Sequence, residues 1–332
     1  MNRIYWVRHG ENWANLTKEF SCRKIDYSLT PRGQLQARQT GAYLAGQGIQ
    51  AVYSSPLKRA VQTAEQIAGP LGLKVLIVEN LRELNVGTLE DQLPTPEAWA
   101  LHDSILHEWI RGDQSRSLPG GEDYATLWGR LSSAFKTIVD GQDDRRIAVV
   151  AHGGSLFCTI HDLCPGEDMR RVRSSEHPNC GISEMELHFE GERPVAKIVS
   201  WASHAHLSGD AARLIYGQPP NRDHLNQKVV YLSGSRARAA KALDDMALEA
   251  REGWTYLDSG PEDDLPAVEM IARAGSVQKW RWISAFCWVG KVVREYSASS
   301  VVVIAGQSSA QDVQHACRMF RIGACEIVEM GE

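Results

Sequence analysis

The 332 residues hold no basic excess, no closely spaced cysteine pair and no apolar run of membrane-spanning length. Lys and Arg total 36 against 41 Asp and Glu, a formal net charge of −5. The balance is even along the chain, with 23 basic and 26 acidic side chains in residues 1–220 and 13 and 15 in residues 221–332. Bulk charge therefore excludes a nucleic-acid binder. The seven cysteines (22, 158, 164, 180, 287, 317 and 325) are odd in number and scattered, with no C-x-x-C spacing. That pattern speaks against a disulfide framework or a structural zinc site. Met1 leads straight into the apolar run at residues 4–7, without a charged-then-apolar leader. No stretch approaches the roughly 20 apolar residues that cross a bilayer. A soluble, cytoplasmic chain in a reducing compartment is expected, with neither nucleic acid nor membrane as partner. What is present is a hydrophobic content of 43%, ordinary for packed domains and too high for disorder. At about 100–200 residues per domain, this length predicts two domains.

Short apolar runs alternate with amphipathic stretches. Strands are predicted at 3–7, 51–54, 74–78 and 146–151, with a closing pair at 182–189 and 195–201 around the turn Glu190-Gly191-Glu192. Helices are predicted from Pro31 with Thr30 as N-cap, over 56–68, 96–111 and 124–140, and from Gly153. This alternation predicts α/β layers on a largely parallel sheet. Domain boundaries follow from composition: a first domain over 1–217, a linker over 218–227 rich in turn formers, and a smaller α/β domain over 228–332. In the latter, strands are predicted at 229–232, 254–257, 301–304 and 325–328, and helices at 236–251 and 310–320.

Three predicted strand ends carry the chemistry. The first ends in Arg8-His9-Gly10-Glu11. The second runs through Ser54-Ser55-Pro56-Leu57-Lys58-Arg59, placing Arg59 on a helix's first turn. The third ends in Ala151-His152-Gly153-Gly154-Ser155. Ligands collect at the carboxyl ends of strands in such sheets, and helix N-termini offer free N–H groups to anions. Two histidines and two arginines on one sheet edge suit a phosphoryl group.

On these residues the chain resembles the histidine phosphatase superfamily, with its phosphoglycerate mutase-like fold. The matches run in order over residues 1 to about 205. They are Arg8-His9-Gly10-Glu11 with Asn15; Asp26; Leu29-Thr30-Pro31-Arg32-Gly33-Gln34; Ser54-Ser55-Pro56-Leu57 with Arg59 and Gln62-Thr63-Ala64; Leu81-Arg82-Glu83 with Gly87; Pro119-Gly120-Gly121-Glu122; and Ala151-His152-Gly153-Gly154. The resemblance implies a three-layer α/β/α domain and does not extend to the second, smaller α/β domain read from the strand and helix pattern. It also implies a phosphatase acting on a small phosphorylated metabolite, with no cofactor and no metal. His9 would attack phosphorus and become phosphohistidine. Arg8, Asn15, Arg59, His152 and Gly153 would bind the phosphoryl oxygens, and Glu83 would serve as general acid and base. Two neighbouring guanidiniums would hold His9 below the usual imidazole value of about 6.5. Asn12 stands where the family usually has Thr. The segment 85–91 departs from the family's aromatic-Gly pattern, which leaves Glu90 and Asp91 as alternatives to Glu83.

A cofactor-dependent phosphomutase using the same histidine is the alternative reading, although the chain lacks the long insertion that branch carries between Glu83 and Pro119. A non-catalytic scaffold would require a missing catalytic residue. The basic cluster at 170–173 reads as a solvated helix face, Asn179-Cys180-Gly181 as a turn, and His204-Ala205-His206 as an alternating strand. In the second domain, residues 301–309 resemble a rhodanese-type strand and loop without its cysteine, Gly234-Ser235-Arg236 reads as a β–α turn, and Trp280, Trp282, Phe286 and Trp288 as core or interdomain face. That domain could cover the site, form a homodimer or recognise the rest of the substrate, and the sequence does not choose.

Overall fold

A computed structural model describes residues 1–139, 141–173, 177–212, 228–233, 254–257, 301–306, 310–319 and 324–329. The chain divides into two compact units, one ending at Gly217 and another containing Gln218–Glu332. The expected linker at 218–227, the helix at 236–251, the turn at 234–236 and the aromatics at 280–288 lie outside the described residues.

The first unit is built on six strands, β1 (Asn2–Arg8), β2 (Ala51–Ser54), β3 (Val75–Ile77), β4 (Arg146–Ala151), β5 (Ile182–Glu190) and β6 (Arg193–Ser203). They lie in the order β3-β2-β4-β1-β5-β6. The first four are mutually parallel, whereas β5 runs antiparallel to both β1 and β6. The sheet is therefore largely parallel, as expected, and mixed only because β5 runs against its two neighbours. The short turn at Gly191 makes β5 and β6 a hairpin, and a hairpin can only pair antiparallel.

Side-chain alternation along each strand divides the core in two. Ile4, Trp6, Ile147, Val149 and Ala151 pack on one face with residues of α4 (Pro96–Ile110), α5 (Tyr124–Val139) and α6 (Gly153–Leu163). Tyr5, Val7, Ala148 and Val150 pack on the other with α2 (Pro31–Ala45) and α3 (Lys58–Ala68). This is the expected three-layer α/β/α arrangement. Short helices α1 (Trp13–Thr17) and α7 (Met169–Arg173) follow the ends of β1 and α6.

In the second unit, β7 (Lys228–Ser233), β8 (Trp254–Leu257), β9 (Val301–Gly306) and β10 (Ala324–Glu329) form a parallel sheet ordered β10-β7-β9-β8. The helix Ala310–Met319 buries Val313, Ala316 and Cys317. His204-Ala205-His206 lies in a turn beyond β6 and not in a strand. There the His206 ring stacks on Tyr43, and its Nε2 lies 2.9 Å from the Thr40 hydroxyl.

Candidate active site

The parallel strands β1, β2 and β4 deliver their carboxyl ends to one side of the sheet, and the loops there are locked by backbone contacts. His9 N–H donates to the Ala151 carbonyl, continuing the β1–β4 ladder by one residue. Beyond it the chain passes so close to α2 that glycine is required. A Cβ on Gly10 would lie 2.6 Å from the Gly33 oxygen, and one on Gly33 would lie 1.9 Å from the Glu11 oxygen. Thr30 caps α2 through the Gly33 N–H and also donates its hydroxyl hydrogen to Glu11. Asp26 accepts from the Lys58 N–H at the start of α3, fixing the turn that carries Arg59.

His9 is buried, and its Nδ1 lies 2.8 Å from the Gly10 carbonyl oxygen. A carbonyl only accepts, so Nδ1 carries the proton and Nε2 the lone pair. Burial first, then the charges of Arg59 and Arg8, hold the imidazole well below its ordinary 6.5, against the opposing pull of the Gly10 hydrogen bond. The ring is therefore neutral at neutral pH. The guanidiniums expected from the sequence do act, but desolvation is the larger cause.

Arg59 is almost fully buried on the first turn of α3. Its Nη1 donates to the Ser21 hydroxyl at 3.0 Å and its Nη2 to the Ser21 carbonyl at 2.8 Å. Burial lowers it to about 10, opposed by Glu83 and Asp26, and it stays cationic at neutral pH. Arg8 donates to the His177 carbonyl oxygen. A Cβ on Gly153 would lie 3.2 Å from Arg8 Cδ, so the glycine at the start of α6 leaves room for that arginine.

His152 is placed otherwise than the resemblance implied. Its ring lies 5.3 Å from that of His9, yet it is fully buried and both nitrogens have protein partners. Arg59 Nη2 approaches Nδ1 at 3.3 Å, and Nε2 lies 2.8 Å from the Ser55 hydroxyl. Since Arg59 can only donate, Nδ1 accepts and Nε2–H donates to Ser55. His152 thus braces Arg59 instead of facing the cavity. Burial, then the Arg59 charge, keep it neutral.

Glu83 and the two alternatives separate by their surroundings. Glu83 Oε1 accepts from the N–H groups of Leu84 and of Ser155 in the first turn of α6, both at 2.9 Å, and the residue lines the cavity. Glu90 is consumed structurally, because its Oε1 accepts from the backbone N–H groups of Cys22, Arg23, Lys24 and Ile25 at 2.9–3.0 Å. Burial alone would raise this carboxyl, but those hydrogen bonds outweigh it and hold it below the usual range. Asp91 pairs with Lys24 at the surface, 2.5 Å away. Neither alternative lines the cavity.

That cavity, of about 370 Å³, is lined by Arg8, His9, Asn15, Arg59, Glu83 and Gly153 among others. Asn15 exchanges hydrogen bonds with Asn12, and its Oδ1 also accepts from Asn179. Sequence reasoning missed several supports. Asn179, read only as a turn residue, also donates to the His9 carbonyl at 3.0 Å. Arg130 pairs with Glu122 and donates to the carbonyls of Asn80, Arg82 and Glu83, so it sets the loop bearing Glu83. The Pro119-Gly120-Gly121-Glu122 motif was the only signal for that clamp. A Cβ on Gly121 would lie 2.1 Å from the Asn85 carbonyl, which is why the motif needs glycine. Phe20, Trp99 and His102, unmarked in the sequence as site residues, line the cavity as well.

With this geometry established, similarity to known proteins becomes informative. A family model described as the histidine phosphatase superfamily (branch 1) matches residues 4–201. A Hydrogenobacter thermophilus protein provisionally named phosphoserine phosphatase 2 is 31% identical over 196 residues, covering 58% of this chain and 92% of its own. A Yersinia enterocolitica protein provisionally named phosphoglycerate mutase GpmB is 32% identical over 193 residues, covering 56% and 85%. Among solved structures, a mutant Entamoeba histolytica phosphoserine phosphatase in complex with phosphoserine superposes with a TM-score of 0.50 at 26% identity, covering 63% of this chain and 100% of its own. A mycobacterial glucosyl-3-phosphoglycerate phosphatase shares the fold, with a TM-score of 0.53 at 22% identity over 61% and 100%.

Proposed function

The chain belongs to the histidine phosphatase superfamily, whose relatives bear phosphatase and mutase names, and from that premise we propose that it is a metal-independent phosphomonoesterase working through phospho-His9. The observation that carries this reading is the buried, neutral His9 imidazole, whose proton is pinned on Nδ1 by the Gly10 carbonyl, sharing a cavity with two guanidiniums and a carboxyl.

In the first step the Nε2 lone pair forms a bond to phosphorus as the ester P–O bond breaks. Glu83, entering protonated, gives that proton to the departing alkoxide. In the second step a water oxygen attacks phosphorus while Glu83 takes back a proton. The P–N bond breaks, the electron pair returns to His9, and inorganic phosphate leaves. Arg8 and Arg59 offset the charge on the equatorial oxygens through the loose transition state. They supply the positive charge that a metal supplies in other phosphoryl-transfer sites. His152 acts through Arg59, holding its guanidinium in register. Splitting the displacement in two through a covalent intermediate is ordinary nucleophilic catalysis.

Transfer to water is favoured over transfer to a second substrate by the charge of the cavity wall. Among the described lining residues Arg8 and Arg59 supply the only guanidinium or ammonium groups, and both belong to the phosphoryl cradle. A phosphoglycerate mutase must also grip a carboxylate. The test is turnover of 4-nitrophenyl phosphate by the full chain in excess EDTA. Undiminished activity that His9→Ala abolishes is expected. Loss of activity in EDTA, or near-normal turnover by His9→Ala, contradicts the proposal.

A further inference from the structure

The hydrolase reading leaves the leaving group unspecified, and the wall beyond the phosphoryl cradle bears on it. Phe20 and Trp99 stack with ring centroids 4.3 Å apart and planes inclined by 25°. The His102 ring adjoins both, at 5.3 Å from Phe20 and 5.2 Å from Trp99. Its Nδ1 is engaged by Asp103 at 2.9 Å. Leu84, Val86 and Phe157 add apolar surface to the same cavity. Among the described lining residues, the acidic side chain apart from the catalytic Glu83 is Glu19.

Resting on the phosphomonoesterase reading, we infer that the substrate is the phosphate ester of a planar, uncharged alcohol, seated against the Phe20–Trp99–His102 wall. Aromatic faces attract planar rings in offset or edge-on packing, beyond the gain from simple burial. A second anionic group on the leaving alcohol meets the opposite treatment. It gives up its hydration to an apolar wall and faces the Glu19 carboxylate, with both nearby guanidiniums engaged by the phosphoryl group. The cavity volume, about 370 Å³, sits at the small end of the range for ligand pockets and fits one ring or two fused rings. Phosphorylated hydroxy acids and amino acids are therefore the poorer substrates of this site, although relatives are named for them.

The experiment compares 1-naphthyl phosphate, phosphoserine and 3-phosphoglycerate with the full chain, taking His9→Ala as the blank. The expected result is a kcat/KM for 1-naphthyl phosphate at least about tenfold above that for either acid, with Trp99→Ala raising its KM about tenfold and Trp99→Phe restoring it. A His9-dependent kcat/KM for either acid that equals or exceeds that for 1-naphthyl phosphate overturns the inference and leaves the hydrolase reading intact. If no ester is turned over in a His9-dependent way, the hydrolase reading fails. Calorimetric binding of the same three esters then decides this inference: tighter 1-naphthyl phosphate supports it, while equal or tighter binding of an acid, or no binding at all, overturns it.

Discussion

An imidazole attacks phosphorus only through a free lone pair, and here both the pair's position and its availability follow from one carbonyl and from burial. Gly10 holds the proton on Nδ1, and desolvation with two guanidiniums prevents a second proton from binding. The same physics makes stability depend on pH. His9, His152 and His177 are all buried, with folded values pushed far below 6.5, that of His177 to about 3 by burial and then the Arg8 charge. Above pH 6.5 both folded and unfolded forms are neutral, so no stability is lost there. As pH falls below 6.5 the unfolded chain takes up protons that the folded chain refuses, and stability drops until the folded values are reached. Each such histidine contributes a slope of about 1.4 kcal/mol per pH unit in that window. Urea unfolding from pH 6 to pH 4 should show His177→Gln with a slope shallower by about that amount, and an unchanged slope would contradict the burial argument. Arg8, His9 and Arg59 were legible in the sequence because each sits within two residues of a strand end or a helix start. Ser21, Asn179 and Arg130 were not, since they reach partners 38, 170 and about 50 residues away that no local pattern records.

At the level of elements, two carboxylates seven positions apart divide the work because different backbone segments meet them. Glu83 touches the first turn of α6, where one oxygen suffices to fix it, whereas Glu90 is surrounded by the N–H groups of residues 22–25. Glutamine in place of Glu83 keeps an acceptor for Leu84 and Ser155 but cannot donate and retrieve a proton through a carboxyl. Glu83→Gln should lower kcat by about 10²–10⁴-fold with little change in melting temperature. Glu90→Gln loses charge-assisted hydrogen bonds and should cost about 1–3 kcal/mol of stability, with kcat reduced far less. Stopped-assay kinetics and thermal melts on both variants check the pair, and a reversed pattern would exchange their roles. The strands were readable from alternation, and β2, β4 and β8 match their expected bounds. The hairpin of β5 and β6 was readable from its turn, but the antiparallel pairing of β5 with β1 was not, because the long connection between them leaves no mark on composition. The residues 204–206 failed for a related reason, since period-two alternation over three positions does not distinguish a strand from a turn caught by α2.

Across the whole molecule, the described residues that line the cavity run from Arg8 to His177 and belong to the first unit. Order along the sequence made this readable. Motifs at successive strand ends must converge once parallel strands share a sheet, so fold class and phosphoryl cradle emerged together. The aromatic wall did not, because Phe20 lies in the loop after α1 and Trp99 on α4, and only packing brings them face to face. The second unit kept its expected α/β character in a parallel four-stranded sheet. The central claim is covalent chemistry at one atom. Rapid-quench mixing of the full chain with a ³²P-labelled ester, followed by alkaline digestion, should recover label as Nε2-phosphohistidine from the wild type and none from His9→Ala. Turnover without any phosphoenzyme, or label carried on Nδ1, would contradict the account.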